Sequence, residues 1–413
     1  MRDAQIRRVV VVGASVAGLS AADALREAGF EGSIEIVGAE SHPPYDRPPL
    51  SKQALHRDDS RDAFFPLRSE EHYSEKQLDL ILGREAVRLD AQKRKVELDD
   101  GTSLAFDGLV IATGCRARTL TTRLGNALPV LRTLDDARWL CASADQHRHA
   151  ILIGAGFIGL EVAASLRGRG LDVTVLEASP APLSNGLGTE LADWLCAYHA
   201  AHGVRIESGV QIESVEGCEG DYEVFLSDGR RFSAGLVLAG VGVTPNVEWL
   251  KGSGLDHPGG VLCDAAGSTA QPSIVAAGDV ACMQLPGGAN VSRIEHWTHA
   301  MNQGRAAARH LLLGETTSAS VPYFWTDQFD RKLQGYGRRQ PGDVVRFVEG
   351  SLESGEFLAA FGAGESFHGI LSSGRARSIR TYRKLLERGG TWSEVLAAGD
   401  AVDLAGSNSQ KQT

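Results

Sequence analysis

At 413 residues, with 43% hydrophobic and 23% charged residues, the chain has the balance of a globular protein with two or three domains, each able to bury its own core. A formal net charge of −10 argues against nucleic acid as a partner. No apolar run approaches the ~20 residues of a membrane span, and a strand entered by residue 9 leaves no room for a signal peptide, so a cytoplasmic protein is expected. The sequence does not set the oligomeric state; a monomer is taken as the expectation.

In chain order, Arg8–Gly13 reads as a buried strand, followed by a helix to about Gly29 and an alternating strand, Ser33–Val37, that ends near Gly38-Ala39-Glu40. Arg94–Leu98 and the turn Asp99-Asp100-Gly101 predict a hairpin, and Asp107–Gly114 an apolar strand. The same order then repeats. His149–Gly154 is a strand with a helix to about Gly170, Asp172–Glu177 a second strand, Tyr222–Phe225 with Ser227-Asp228-Gly229 a hairpin, and Gly235–Gly242 a closing strand. Strand, glycine turn, helix, strand is the unit of a doubly wound parallel sheet, so the chain carries a large internal duplication with the second copy inserted in the first. A helix is expected over Gln303–Leu313. Beyond it, β-type alternation at Pro322–Trp325, Val344–Phe347 and Phe357–Phe361, with a hairpin linker at Ser351–Gly355 and a helix over about Ser378–Arg388, predicts a separate α+β domain. The polar end, Ser407–Thr413, is expected to be disordered. The division is therefore 1–116 with 246–318, then 117–245, then 319–413.

The first turn reads Gly13-Ala14-Ser15-Val16-Ala17-Gly18. Gly13 permits the tight turn and Gly18 close helix–sheet packing, while the helix N-terminus offers free N–H groups to a pyrophosphate. Ser15 stands at the middle glycine position. Alone, this turn fits a dinucleotide or merely a tight strand–helix junction. Glu40, just past the second strand, is placed to accept a ribose diol or is a solvated loop charge. The sequence Gly13/Gly18, then Ala112-Thr113-Gly114, then Gly278-Asp279 at the end of an apolar strand, in that order, selects FAD. The second turn, Gly154-Ala155-Gly156-Phe157-Ile158-Gly159, is a complete GxGxxG. Glu177 closes the next strand, where a carboxylate accepts an adenosine 2′-hydroxyl and repels a 2′-phosphate, which favours NADH over NADPH. Gly242, in GVGVTPN, closes this unit. The six cysteines are scattered without a CxxC pair, so neither a metal site nor a redox-active dithiol is expected.

This order of motifs resembles the flavoprotein pyridine-nucleotide-disulfide reductase superfamily. PPYDRPPLSK (Pro43–Lys52), GAGFIGLE (Gly154–Glu161), GVGVTPN, AAGDVA and EHWTHAMNQG (Glu295–Gly304) resemble the ferredoxin reductases of bacterial oxygenase systems, the putidaredoxin reductase and biphenyl dioxygenase reductase group, over residues 8 to 390. The resemblance implies an α/β fold with two Rossmann-like, glutathione reductase-like dinucleotide domains and a C-terminal α+β domain. It implies Lys52 beside flavin N5, paired with Glu161, and Arg47 and Pro48 lining the isoalloxazine pocket. It also implies Val87 at the adenine, Arg132 and Asp279 at the pyrophosphate and ribityl chain, and the Glu295-His296-Trp297 backbone at the pyrimidine edge. Trp325 is expected at the flavin's outer side, towards the acceptor. His296 and His299 read as pocket-wall packing. Relatives carry Gly and Asp where Ser15 and Ala39 stand, and commonly an arginine at Ser184-Asn185.

The reaction so implied is hydride transfer from NADH to FAD, then single-electron transfer to an acidic [2Fe–2S] ferredoxin that serves a dioxygenase or a haem-thiolate monooxygenase. It needs no side-chain nucleophile. Alternatives are a rubredoxin reductase, an NADH oxidase or apoptosis-inducing-factor-like flavoprotein, and a redox-sensing binding protein without turnover. A cysteine-based reductase needs a thiol that Pro43–Lys52 lacks. Residues 331–388 carry 11 Lys and Arg against 6 acids, a basic stretch suited to steering an acidic partner.

Overall fold

The structure is a computed structural model that describes residues 6–56, 64–284, 291–316 and 320–399; the tail at Ser407–Thr413 lies outside the described residues. The chain divides into two units. One comprises Met1–Pro48, Phe64–Arg116 and Val243–Ser320, the other Pro49–Ala63, Ala117–Gly242 and Val321–Thr413.

In the first unit a five-stranded sheet has the order Ile274–Ala276, Gly108–Ile111, Arg8–Val12, Ser33–Gly38, Leu78–Leu82. All neighbours are parallel. Val9, Val10 and Val11 are buried, as a sheet covered on both faces requires. The helices Val16–Glu27 and Trp297–Leu313 pack on one another here. The second of these begins six residues before the expected Gln303. Its inward face is Ala300, Gln303, Gly304, Ala307, Ala308 and Leu311, a helical spacing whose small and polar members hide it from an apolar-period reading. Gly304 is there because a side chain would meet the carbonyl of Ala17 at 2.2 Å. The predicted hairpin is a three-stranded meander, Ala86–Asp90, Lys95–Leu98 and Ser103–Ala105.

The second unit repeats the plan. A four-stranded parallel sheet runs in the order Val204–Ser208, Asp172–Glu177, His149–Ile153, Leu236–Ala239. Beside it is a second meander, Ile212–Cys218, Asp221–Leu226, Arg231–Ala234. The same unit contains a five-stranded antiparallel sheet ordered Tyr323–Gln328, Arg331–Gly337, Ser366–Ser373, Glu356–Ala363, Val344–Ser351. Helix Ile379–Glu387 buries Tyr382 at 1% exposure. Two of these five strands escape the sequence reading, and glycine explains it. Gly335 interrupts the alternation of Arg331–Gly337, and the Phe324 ring fills the space where its side chain would be, 2.3 Å from the missing Cβ. Gly369 and the buried Ser372 and Ser373 break up Ser366–Ser373 in the same way.

Candidate functional site

The first unit builds one cradle. Gly13 has φ +123°, and a Cβ there would lie 2.0 Å from the Ala112 oxygen. At Gly18 it would lie 1.9 Å from the Gly13 oxygen. Ser15 is the N-cap of Val16–Glu27 but makes no side-chain cap hydrogen bond, and the first turn holds no acid. The N–H groups of Val16, Ala17 and Gly18 therefore form an uncapped positive helix end, which fits a pyrophosphate. Gly278 closes on the same helix start, since its Cβ would meet Ala17 Cβ at 2.9 Å, and its N–H donates to Gln303 Oε1 at 2.9 Å. This places Asp279 at the head of the cradle.

Thr113 and Asn246 bond reciprocally. Thr113 Oγ1 donates to the Asn246 carbonyl at 2.8 Å, and Asn246 Nδ2 donates to the Thr113 carbonyl at 2.9 Å. Asn246 N–H also reaches the Gly114 carbonyl. The Ala112–Gly114 turn is thus clamped by the asparagine of GVGVTPN, a role the sequence reading did not give it.

Glu40 is not a solvated charge. Tyr45 Oη donates to it at 2.6 Å and Arg47 Nη2 at 2.5 Å, and the Arg47 guanidinium lies 5.2 Å from the Tyr45 ring centre. Burial disfavours the charge of Arg47, but Tyr45, Glu40 and Asp279 outweigh it and raise its pKa. Arg47 and Asp279, far apart in sequence, therefore share one electrostatic neighbourhood. Val87 is half exposed beside a bulge in Ala86–Asp90. Glu295 pairs with Arg293 at 2.8 Å, His296 occupies the N-cap position of the helix that Trp297 starts, and His299 is buried.

The second unit builds the other cradle. At Gly154, φ is +108° and a Cβ would lie 2.3 Å from the Gly240 oxygen; at Gly159 it would lie 2.4 Å from the Gly154 oxygen. At Gly156 it would meet nothing within 4 Å. The helix Phe157–Gly168 has no side-chain cap and no acid in its first turn. Ile158 is exposed, and the Phe157 ring packs on Phe324. Glu177 accepts the N–H groups of Ala155 and Ser179, each at 2.7 Å, so it braces the glycine turn. Each oxygen keeps a further lone pair for a ribose hydroxyl. The Gly242 carbonyl accepts Arg118 N–H. Arg132 contributes its backbone N–H to Asp136, in the capping box of Leu134–Gln146.

Lys52 and Glu161 meet in this same unit. Lys52 Nζ lies 3.0 Å from Glu161 Oε1 and 3.9 Å from Asp327 Oδ2, and both members of the first pair are buried. The segment Ser51–Leu55 is held by one polar stripe on the otherwise apolar Phe157 helix. Glu161 accepts Ser51 Oγ–H at 2.6 Å, Ser165 Oγ donates to the Ser51 carbonyl at 2.7 Å, and Arg169 donates to the Leu55 carbonyl at 3.0 Å. These three lie four residues apart, hence on one helix face. The spacing is visible in the sequence, but only Glu161 is drawn from it there. Thr326 Oγ1, another donor to Glu161 at 2.5 Å, and the Asp327 N–H at 3.2 Å complete the carboxylate's shell. Trp325 lies in the same strand, against Tyr323 and with Lys332 Nζ 6.0 Å from its ring centre.

One thiol approaches this segment, which linear distance did not suggest. Cys141 Sγ donates to the Ala54 carbonyl at 3.0 Å, and burial raises its pKa, so it is a structural thiol rather than a thiolate nucleophile. All six cysteines are free. Among the described residues no cluster is placed to hold a metal ion, and no helix is long and apolar enough to cross a membrane.

Two uncapped helix ends, each behind a clash-enforced glycine turn, define the scaffold of a reductase with two dinucleotide cradles. The chain belongs to the pyridine nucleotide-disulphide oxidoreductase family, whose model matches residues 7–304, and a reductase C-terminal model matches residues 323–407. It is 36% identical to rhodocoxin reductase of Rhodococcus erythropolis, over 92% of this chain and 89% of that one. It is 38% identical to the ferredoxin–NAD(+) reductase component of the p-cumate 2,3-dioxygenase system of Pseudomonas putida, over 86% and 87%. Among solved structures, the ferredoxin reductase of the CYP199A2 system from Rhodopseudomonas palustris matches with a TM-score of 0.87 at 34% identity, over 93% of this chain and 95% of that one. Putidaredoxin reductase in its covalent complex with putidaredoxin matches with a TM-score of 0.86 at 29% identity, over 96% and 100%.

Proposed function

We propose that this chain is an FAD-dependent NADH:ferredoxin oxidoreductase of an oxygenase system, acting on an acidic [2Fe–2S] ferredoxin, and a cytoplasmic monomer in three parts: 1–116 with 246–318 for FAD, 117–245 for NADH, and 319–413. When bound, NADH supplies a hydride and FAD splits its two electrons into single transfers. The first cradle would hold FAD through Gly13, Ser15, Val16, Ala17, Gly18, Thr113 and Asp279, with Glu40 held towards the ribose by Tyr45 and Arg47. The second would hold NADH through Gly154, Gly156, Phe157, Ile158, Gly159 and Glu177. Lys52 would present its ammonium to the reduced flavin, and Trp325 would lie on the route to the acceptor.

The observation that carries this reading is the buried Lys52–Glu161 couple. A cation held rigidly by a fully bonded carboxylate stabilises a reduced, anionic ring without donating a nucleophile. The one thiol near it is already engaged with a carbonyl.

The basic stretch 331–388 supports an acidic partner. Lys332, Arg338, Arg346, Arg377, Arg380 and Lys384 are exposed there. Arg339 there donates to the carbonyls of Asn185 and Asp343. Purified protein should be yellow, bleach under anaerobic NADH, and reduce cytochrome c only when ferredoxin is added. A colourless protein, or a flavin that NADH leaves oxidised, refutes the assignment. Arg338→Glu should flatten the salt dependence of ferredoxin reduction.

A further inference from the structure

Behind Glu161 a line of polar side chains continues inward through the second unit to a histidine. Thr326 Oγ1 lies 2.5 Å from Glu161 Oε1, Gln328 Nε2 lies 2.7 Å from Thr326 Oγ1, and His199 Nε2 lies 2.9 Å from Gln328 Oε1. His199 and Gln328 are 0% exposed and Thr326 is 1% exposed.

The direction of every hydrogen bond is forced. Glu161 accepts from Lys52 and Ser51 and, as a carboxylate, can only accept, so the Thr326 hydroxyl donates to it. That leaves Thr326 Oγ1 to accept from Gln328. The Gln328 amide nitrogen also faces the Phe157 carbonyl at 3.4 Å, which can only accept, so the amide cannot be reversed. Its oxygen therefore faces His199, whose Nε2 must carry the proton. His199 is correspondingly neutral: burial pushes its imidazolium down to about 4.

We propose that His199, Gln328 and Thr326 form a one-way donor chain that offsets the charge of Glu161 and so sets how much of the Lys52 charge remains for the reduced flavin. They are positioning residues, and the inference rests on the assignment of Lys52 made above. Each N–H or O–H dipole points its positive end towards the carboxylate, and in a buried site such dipoles polarise one another. A carboxylate without them would neutralise Lys52 more completely. The Phe157 carbonyl ties the chain to the first turn of the second cradle's helix, and His199 ties it to helix Thr189–Ala201.

Thr326→Val keeps the shape and removes the donor. Spectroelectrochemical titration of the FAD-loaded variant should show a three- to tenfold smaller equilibrium constant for flavin reduction, about 15 to 30 mV lower for a two-electron couple. Gln328→Leu should shift it the same way by less, and the double variant no further than Thr326→Val alone, because Gln328 acts through the hydroxyl. His199→Gln, which keeps an N–H donor, should hold the potential where His199→Leu lowers it. In 15N NMR of the wild-type protein, His199 should stay neutral with its proton on Nε2 from pH 8 down to at least about 5.5.

A purely structural role would lower thermal stability in these variants and leave the potential alone. The chain is overturned if Lys52→Ala moves the potential but Thr326→Val does not, or if His199 carries its proton on Nδ1. If Lys52→Ala moves nothing, the assignment of Lys52 falls and takes the chain's proposed role with it.

Discussion

The two glycine turns share a plan but not a sequence, and the difference separates the positions that folding dictates from the one it leaves open. In both, the first and third glycines are enforced by the chain itself. A Cβ would lie 2.0 and 1.9 Å from backbone oxygens in the first turn and 2.3 and 2.4 Å in the second. The middle position is not so constrained, because at Gly156 a Cβ would meet nothing within 4 Å. That is why Ser15 fits the corresponding place without disturbing the turn. The acids after the second strands differ too. Glu40 pairs with Arg47 and accepts from the Tyr45 hydroxyl, whereas Glu177 accepts from the backbone N–H groups of Ala155 and Ser179.

The hardest test of this comparison is Gly13→Ala beside Gly154→Ala. Both positions have left-handed φ and a carbonyl in the way, so each should cost about 3 kcal/mol or more in chemical denaturation, or fail to fold. Gly156→Ala should leave the unfolding midpoint nearly unchanged and weaken NADH binding instead; equal damage from all three would break the comparison.

Lys52→Ala strips the partner from a buried carboxylate and should lower stability by about 3 to 5 kcal/mol while slowing anaerobic flavin reduction in stopped flow. The second unit should also carry an acid sensitivity that traces to His199. Its imidazole is neutral in the fold down to a pKa of about 4, whereas in the unfolded chain it protonates near 6.5. Its contribution is therefore fully present above about pH 7 and declines as pH falls towards 4, on the order of 3 kcal/mol in all. Urea denaturation at several pH values should show this slope, and His199→Gln should remove it.

Glu177→Gln should cost about 1 kcal/mol of stability and move the NADH:NADPH preference about tenfold towards NADPH, measured as a ratio of kcat/KM. Glu40→Gln should leave that ratio unchanged. The smallest effect belongs to Ser15→Gly, within a few tenths of a kcal/mol in the same denaturation assay, since the serine makes no cap bond to lose.

Much of the fold was legible because strand period, glycine turns and helix length are local signals. The strand–helix–strand core of each parallel sheet, one hairpin of each meander and three strands of the C-terminal sheet announce themselves in this way. The strands Arg331–Gly337 and Ser366–Ser373 did not, because their glycines are explained only by the rings and backbones that fill the vacated space. The early start of Trp297–Leu313 was hidden likewise by Gln303 and Gly304, which face inward to bond Gly278 and to admit the Ala17 carbonyl. At the candidate site the motifs supplied Gly13, Gly154, Glu177, Lys52 and Glu161. They did not supply the Asn246 clamp, the Ser165 and Arg169 stripe, Cys141 against Ala54, or the line from Thr326 to His199.

By itself, then, the sequence determined the two cradles, since a turn with φ above +100° beside a strand leaves little choice but glycine. What only the tertiary structure decided is the electrostatic setting of the lysine. Hydrogen bonds between residues 110 to 165 positions apart leave no periodic trace, and the direction of a donor chain depends on which groups can only accept.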